Sequence, residues 1–175
     1  MIQMRLADFP CGSVVKIGDR SFVVLEQCGE ETAVITKDFV RSMPFGNGGD
    51  WRTSDIRAFC NGDFYQEISN AAGKENIFDH MVNLSADDGT GKDEFCRDYV
   101  SLLTTDEYRR YREFLPAYGK WWWLATRVSY DVKDCGRYVC GVRSVGVLSW
   151  DGCGYSGGVR PFCILNSSIL VSSGE

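Results

Sequence analysis

Two aromatic brackets constrain this chain more than any other feature. One is Trp121-Trp122-Trp123-Leu124-Ala125-Thr126, and the other is Gly158-Val159-Arg160-Pro161-Phe162-Cys163-Ile164-Leu165. Side chains this large and apolar favour burial, so both ends require a core to receive them. The three tryptophans are expected as core and strand-edge packing rather than as a ligand cage. Residues 127–158 between the brackets have a different composition, rich in Gly, Val, Ser, Tyr, Asp and Cys. Two short apolar runs cross this stretch, Tyr138-Val139-Cys140-Gly141-Val142 and Val145-Gly146-Val147-Leu148, and they predict strands. The remainder is loop chemistry. Tyrosine supplies contact area at low entropic cost while Ser and Gly adapt, a composition suited to binding loops on a rigid frame. The expectation is a scaffold that presents a recognition surface, with no catalytic centre.

The totals narrow the class of partner. At 175 residues the chain is expected to form one domain, 1–175, with 121–165 as the display segment. A net charge of −5 argues against nucleic acid or an anionic membrane as the main partner, since both reward a basic face. No apolar run has the length of a spanning helix, so membrane insertion is not expected. The first residues, Met1-Ile2-Gln3-Met4-Arg5-Leu6-Ala7-Asp8, lack the apolar stretch of a signal peptide. This places the chain in the cytoplasm or on a phage particle. Eight cysteines without a secretion signal read as reduced structural thiols. Cys11, Cys28, Cys60, Cys96 and Cys163 sit in or beside apolar runs, where Cys packs as a small hydrophobe. No C-x-x-C occurs and His80 is the only histidine, so neither a zinc site nor any other metal or cofactor is expected.

The N-terminal third predicts an antiparallel meander. Cys11 to Ile17 and Ser21 to Glu26 flank a Gly-Asp turn, and Thr32 to Thr36 supplies a third strand. Asn47-Gly48-Gly49-Asp50 breaks the chain. Ser54 then caps a helix over Asp55 to Cys60, and a second short helix follows from Asp63 to Ile68. Val82-Asn83-Leu84 is a candidate strand. The loop Ala86 to Asp93 fails as a phosphate loop and as a calcium loop, and reads as a solvated turn. Thr104 and Glu107 fit a capping box for a helix lined by Tyr108, Tyr111 and Phe114 and ended by Leu115-Pro116.

Several of these segments, taken in order, carry a resemblance. They are Phe22-Val23-Val24-Leu25, then Trp51-Arg52-Thr53-Ser54-Asp55-Ile56-Arg57 with Asn61 and Phe64-Tyr65, then Trp122-Trp123-Leu124-Ala125-Thr126, and last Gly158-Val159-Arg160-Pro161. The set resembles a bacterial and phage domain family ending in a W-W-L … G-V-R-P pattern. That family looks like a branch of the C-type-lectin fold, related to formylglycine-generating enzymes and to the variable proteins of diversity-generating retroelements. The resemblance implies an α+β fold, antiparallel sheets with a few short helices, and a C-terminal ligand-binding face. In the retroelement group that face is diversified while its frame stays constant. Trp150 and Lys133 lie outside what mutation of adenines in asparagine codons yields.

The candidate contact residues are Arg127, Tyr130, Asp131, Asp134, Ser149, Trp150, Asp151, Tyr155 and Ser156. Trp, Tyr and Arg most often carry interface energy, although Trp150 reads equally as core. Arg160 is expected as a salt bridge or a carbonyl clamp. Evidence for catalysis is thin: His80 is isolated, with a surface or helix-end position expected, and no G-x-S-x-G or H-E-x-x-H occurs. Cys153 and Cys163 do not match the cysteine context of formylglycine generators. Trp150-Asp151-Gly152 only half resembles the W-N-D triplet of calcium lectins. The first reading is therefore a non-enzymatic binder of a protein or glycan. The competing readings are a cysteine-dependent enzyme related to formylglycine-generating oxidases, and a structural module of a phage particle.

Overall fold

The β-branched runs near the start of the chain form three strands as their alternation requires, after a short first strand that pairs with the last one. β1 (Gln3–Arg5), β2 (Val14–Ile17), β3 (Arg20–Cys28) and β4 (Glu31–Thr36) come first. Gly18 and Gly29 each take a positive φ as the first residue of a two-residue turn, which glycine alone adopts without strain. The computed structural model describes residues 3–174 and shows a mixed α+β structure of mostly antiparallel sheets with a few short helices.

After β5 (Arg41–Pro44) comes helix α1 (Asp55–Phe59), whose cap Ser54 accepts from the Arg57 amide at 3.0 Å. The two short helices expected here are one continuous helical run. A π-helical turn over Cys60–Phe64 joins α1 to α2 (Tyr65–Ala72), so the helix does not break at Asn61-Gly62. Asn61 satisfies the backbone elsewhere. Its side chain accepts from the amides of Tyr99 and Val100 and donates to the Val100 carbonyl.

Four short strands follow: β6 (Ile77–Phe78), β7 (His80–Asn83), β8 (Phe95–Asp98) and β9 (Val100–Ser101). Asp98 is a buried node. Its carboxylate accepts from the Trp51 indole at 2.8 Å and from Arg57 at 2.9 Å, which ties the Trp51–Arg57 stretch to β8. Helix α3 (Thr105–Tyr111) carries the expected capping box between Thr104 and Glu107. Tyr108 and Tyr111 are buried beneath it, whereas Phe114 falls in the 3-10 turn that follows.

The remaining strands are β10 (Trp122–Arg127), β11 (Tyr138–Val142), β12 (Leu148–Gly152), β13 (Ser156–Val159), β14 (Phe162–Asn166) and β15 (Leu170–Ser173). One sheet runs β1-β15-β2-β3-β4-β14-β6, with β9 also on β14; a second runs β12-β11-β10-β13-β5; β7 and β8 pair with each other. Val145 to Val147 does not form strand as expected. Gly146 has φ near 84°, and the pair Gly146 N to Arg143 O and Arg143 N to Val147 O closes a turn, so β12 begins only at Leu148.

Successive residues of a strand point to opposite faces, and the tryptophan bracket exploits this. Trp122 enters a cluster with Tyr108, Tyr111, Leu124 and Phe162, and Trp123 enters the other with Phe45, Trp51, Val139 and Val159. Glycines make the room. A Cβ on Gly157 would lie 2.6 Å from Trp123 Nε1 and 2.8 Å from Trp121, and one on Gly158 would enter the Phe39 ring. Gly158→Ala is expected to lower the unfolding free energy by at least about 1–3 kcal/mol, the usual range for overpacking a filled site, as read from urea denaturation.

Three placements depart from expectation. Cys11 and Cys28 are exposed, because they sit at the ends of their apolar runs, where strand gives way to turn. His80 lies buried on β7 instead of at the surface, since alternation along the strand turns it and Val82 inward. Its Nε2 is 2.8 Å from Ser101 Oγ and its ring meets Phe162 edge-on, but Nδ1 has no partner among the described residues. Burial pushes the imidazole pKa down to about 4, from 6.5 when unfolded. The unfolded chain thus binds the extra proton first, and stability falls as pH drops from 6.5 toward 4, by about 3 kcal/mol in all. Burial moves Glu107 the opposite way, so the comparison must be between variants. Denaturation midpoints measured from pH 7.5 to 5 should fall more steeply for the parent than for His80→Gln.

Candidate functional site

Between its brackets the display segment runs from Arg127 to Gly157 and touches the core through Val139, Val142 and Cys153. Between these points it forms a loop over residues 128–137, the hairpin of β11 and β12, and a turn into β13. β12 is the last strand of its sheet, and no strand pairs with its outer edge among the described residues. Val142, Leu148 and Trp122 fill the inner end of one face. The outer end of that face is aromatic and open.

Trp150 is 55% exposed there, with Tyr138 across the strand pair at 4.9 Å in an edge-on contact. Tyr155 is 68% exposed, and its ring lies over Gly152, where a Cβ would stand only 3.2 Å away. Gly152 pairs with Tyr138 in the strand register, so Trp150, Tyr138 and Tyr155 share one side of the hairpin. Tyr138 was not among the residues expected from sequence. The signal that finds it is register: once β11 and β12 are aligned, position 138 is diagonal to Trp150.

The other candidates lie elsewhere on the segment. Ser149 and Asp151 point to the face opposite Trp150, and both are half-buried. Asp151 Oδ1 accepts from the Gly152 amide at 2.8 Å, which partly satisfies the carboxylate within its own turn. Asp151 pairs with Val139 and Val139 with Arg127, so a row crosses three strands, with Arg127 roughly 10 Å from Asp151 by strand spacing. Ser156 is exposed, opposite Pro44.

Arg127 and Tyr130 form a knot of their own. The guanidinium lies 4.1 Å from the Tyr130 ring centre, and Nε donates to the Ser129 carbonyl. Tyr130 is tied to the loop over 86–93 by its amide, which donates to Thr90 Oγ1 at 2.9 Å, and to the chain just before that loop by its hydroxyl, which donates to the Leu84 carbonyl at 3.1 Å. Burial raises its phenol above the ordinary range. The loop that read as a bare solvated turn is therefore the clamp on Tyr130. Asp131 and Asp134 are exposed, the latter within a 3-10 turn over Lys133–Arg137. The nine candidates thus divide into a hairpin group, exposed at Trp150, Tyr155 and Ser156 and half-buried at Ser149 and Asp151 on the opposite face, and a partly anchored loop group. The two meet at the start of β11, where the Cys153 amide bonds the Arg137 carbonyl.

Thiols and metal ligands offer little reactive geometry. Burial pushes Cys96, Cys140 and Cys163 up to about 12 and Cys60 higher still, which leaves each protonated and poorly nucleophilic near neutrality. All eight cysteines are free, and among the described residues no three His, Cys, Asp or Glu side chains are grouped to hold a metal. No helix among them is long and apolar enough to cross a membrane.

No family model, no curated protein and no solved structure matches this chain. Because Trp150 and Tyr155 are largely solvated, Trp150→Ala and Tyr155→Ala should each change stability by no more than about 1 kcal/mol, as expected away from a packed core. Thermal unfolding of the two variants checks this.

Proposed function

We propose that this chain is a non-catalytic recognition protein whose segment 121–165 displays a ligand-binding surface. On this reading the scaffold is C-type-lectin-like and the segment is of the diversified kind carried by retroelement variable proteins. The partner is a protein or glycan on another molecule. The observation that carries the proposal is the aromatic group at the sheet edge: solvated Trp150 on edge strand β12, solvated Tyr155 in the turn after it, and half-buried Tyr138 on β11 beside them. Tryptophan and tyrosine concentrate binding energy at interfaces, and Trp150 and Tyr155 keep more than half of their surface in solvent despite their contacts with Tyr138 and Gly152. Val132, Val145 and Val147 are also exposed, so half of the large apolar side chains exposed among the described residues come from this one segment. The frame around it is buried and glycine-fitted, a division of labour that suits a variable surface on a constant support.

The competing reading is a cysteine-dependent enzyme. The raised thiols disfavour it, although Cys11 and Cys28 remain open to reagents. Two measurements test the proposal. The neighbouring DNA should contain a near-copy of the codons for residues 122–161, differing at adenines, beside a reverse-transcriptase gene. A glycan array and a display library of surface proteins, probed with the parent chain, should yield a binder that the Trp150→Ala/Tyr155→Ala double variant loses while keeping its melting temperature. A binder retained at full strength by that variant would remove the aromatic hairpin from the proposed site.

A further inference from the structure

Arg160 is 3% exposed, and no carboxylate lies within salt-bridge distance of it among the described residues. Its guanidinium is sandwiched between the Trp122 ring at 4.7 Å and the Tyr118 ring at 5.4 Å. Nε donates to the Thr36 carbonyl at 3.0 Å, and that is its one hydrogen bond to the described residues. A guanidinium carries five N–H donors, so the two terminal nitrogens retain theirs unspent. A buried cation is costly unless paired and hydrogen-bonded. Burial accordingly pushes this arginine down to about 10, with Tyr118 and Asp38 only partly offsetting the effect.

Arg160 also lines a cavity. It measures about 290 Å³ and is lined by Arg160 with Val14, Val23, Phe114, Ala117 and Tyr118 among its walls, and Lys37 at its edge. Asp38 also lines it, but accepts from the Tyr118 hydroxyl at 3.2 Å, which holds that ring against Phe39 at 4.3 Å. The walls are apolar and aromatic, while the charges are one buried arginine, one lysine and Asp38, a net of one positive charge. At the small end of ligand pockets, which span roughly 300–1,000 Å³, the volume suits a single ring or a short acyl chain.

We propose that this cavity binds a small organic anion, an apolar or aromatic body bearing a carboxylate, with its oxygens on the terminal nitrogens of Arg160 and on Lys37. A planar carboxylate matches the fork of donors on a guanidinium. The apolar body lies against Val14, Val23 and Ala117. The site is formed by β2, β3 and the 114–118 loop, apart from the 127–158 surface. It does not depend on the recognition function proposed above.

The test uses the full chain and benzoate, with benzamide as the uncharged isostere and phenyl phosphate as the alternative headgroup. Amide resonances of Val23, Lys37 and Tyr118 should shift saturably with benzoate, and benzamide should bind roughly tenfold more weakly for loss of one charge-assisted hydrogen bond. Ala117→Trp, at an exposed position on the rim, should block binding without unfolding the chain. Lys37→Gln should weaken it several-fold. Saturable binding of phenyl phosphate in place of benzoate would keep the anion site and reassign its headgroup to phosphate. Absence of saturable shifts with both anions, benzamide binding as tightly as benzoate, or an Ala117→Trp variant that binds normally would each overturn the proposal. Arg160 itself is left intact, since its removal would unstack Trp122.

Discussion

The two sheets are joined where Arg160 is held between Trp122 and Tyr118. The two direct connections between the sheets, those without a helix, pass this point. β4 leads to β5 through residues 37–40, and β13 leads to β14 through Arg160 and Pro161. The connections run side by side, bonded from the Thr36 amide to the Pro161 carbonyl and from the Val40 amide to the Val159 carbonyl. The Nε bond to Thr36 closes the same junction. A cation desolvated between two aromatic faces contributes on the order of 2 kcal/mol, and here it bridges Trp122 of one sheet to the Thr36 carbonyl at the end of a strand of the other. Gly158, beside it, has no side chain because Phe39 occupies that space.

Much of the frame was legible from residue order. Alternation and Gly-containing turns gave β2 to β4, and Ser54 and the Thr104–Glu107 pair gave the starts of α1 and α3, since caps act over three residues and are local. Long-range pairing was not legible. Nothing in the chain announces that Trp51 and Arg57 share Asp98, or that the loop over 86–93 clamps Tyr130, because both contacts join residues about 40 positions apart. His80 was misplaced for the same reason. A lone histidine carries no sign of which strand face it will occupy.

The candidate surface was partly legible. Composition pointed to residues 127–158 as different in kind, and the solvated Trp150 and Tyr155 lie within it. Composition could not separate the two groups inside the segment, because which side a residue faces depends on register. Val145-Gly146-Val147 has the look of a strand, yet its glycine bends it into the turn that exposes both valines. Tyr138, the third ring of the hairpin group, became visible only once β11 and β12 were aligned.

The glycines beneath the tryptophans divide the segment by its tolerance for change. Between Arg143 and Ser156, all side chains but that of Cys153 are at least partly solvated apart from the turn at Gly146, so drift there would cost the fold little. Gly141, Gly157 and Gly158 stand on the other side of that line, where even one added methyl meets an indole or a phenyl ring. Homologues of this chain should therefore be aligned by these three fixed points and Arg160. The letters between them are free to become unrecognisable while the architecture persists.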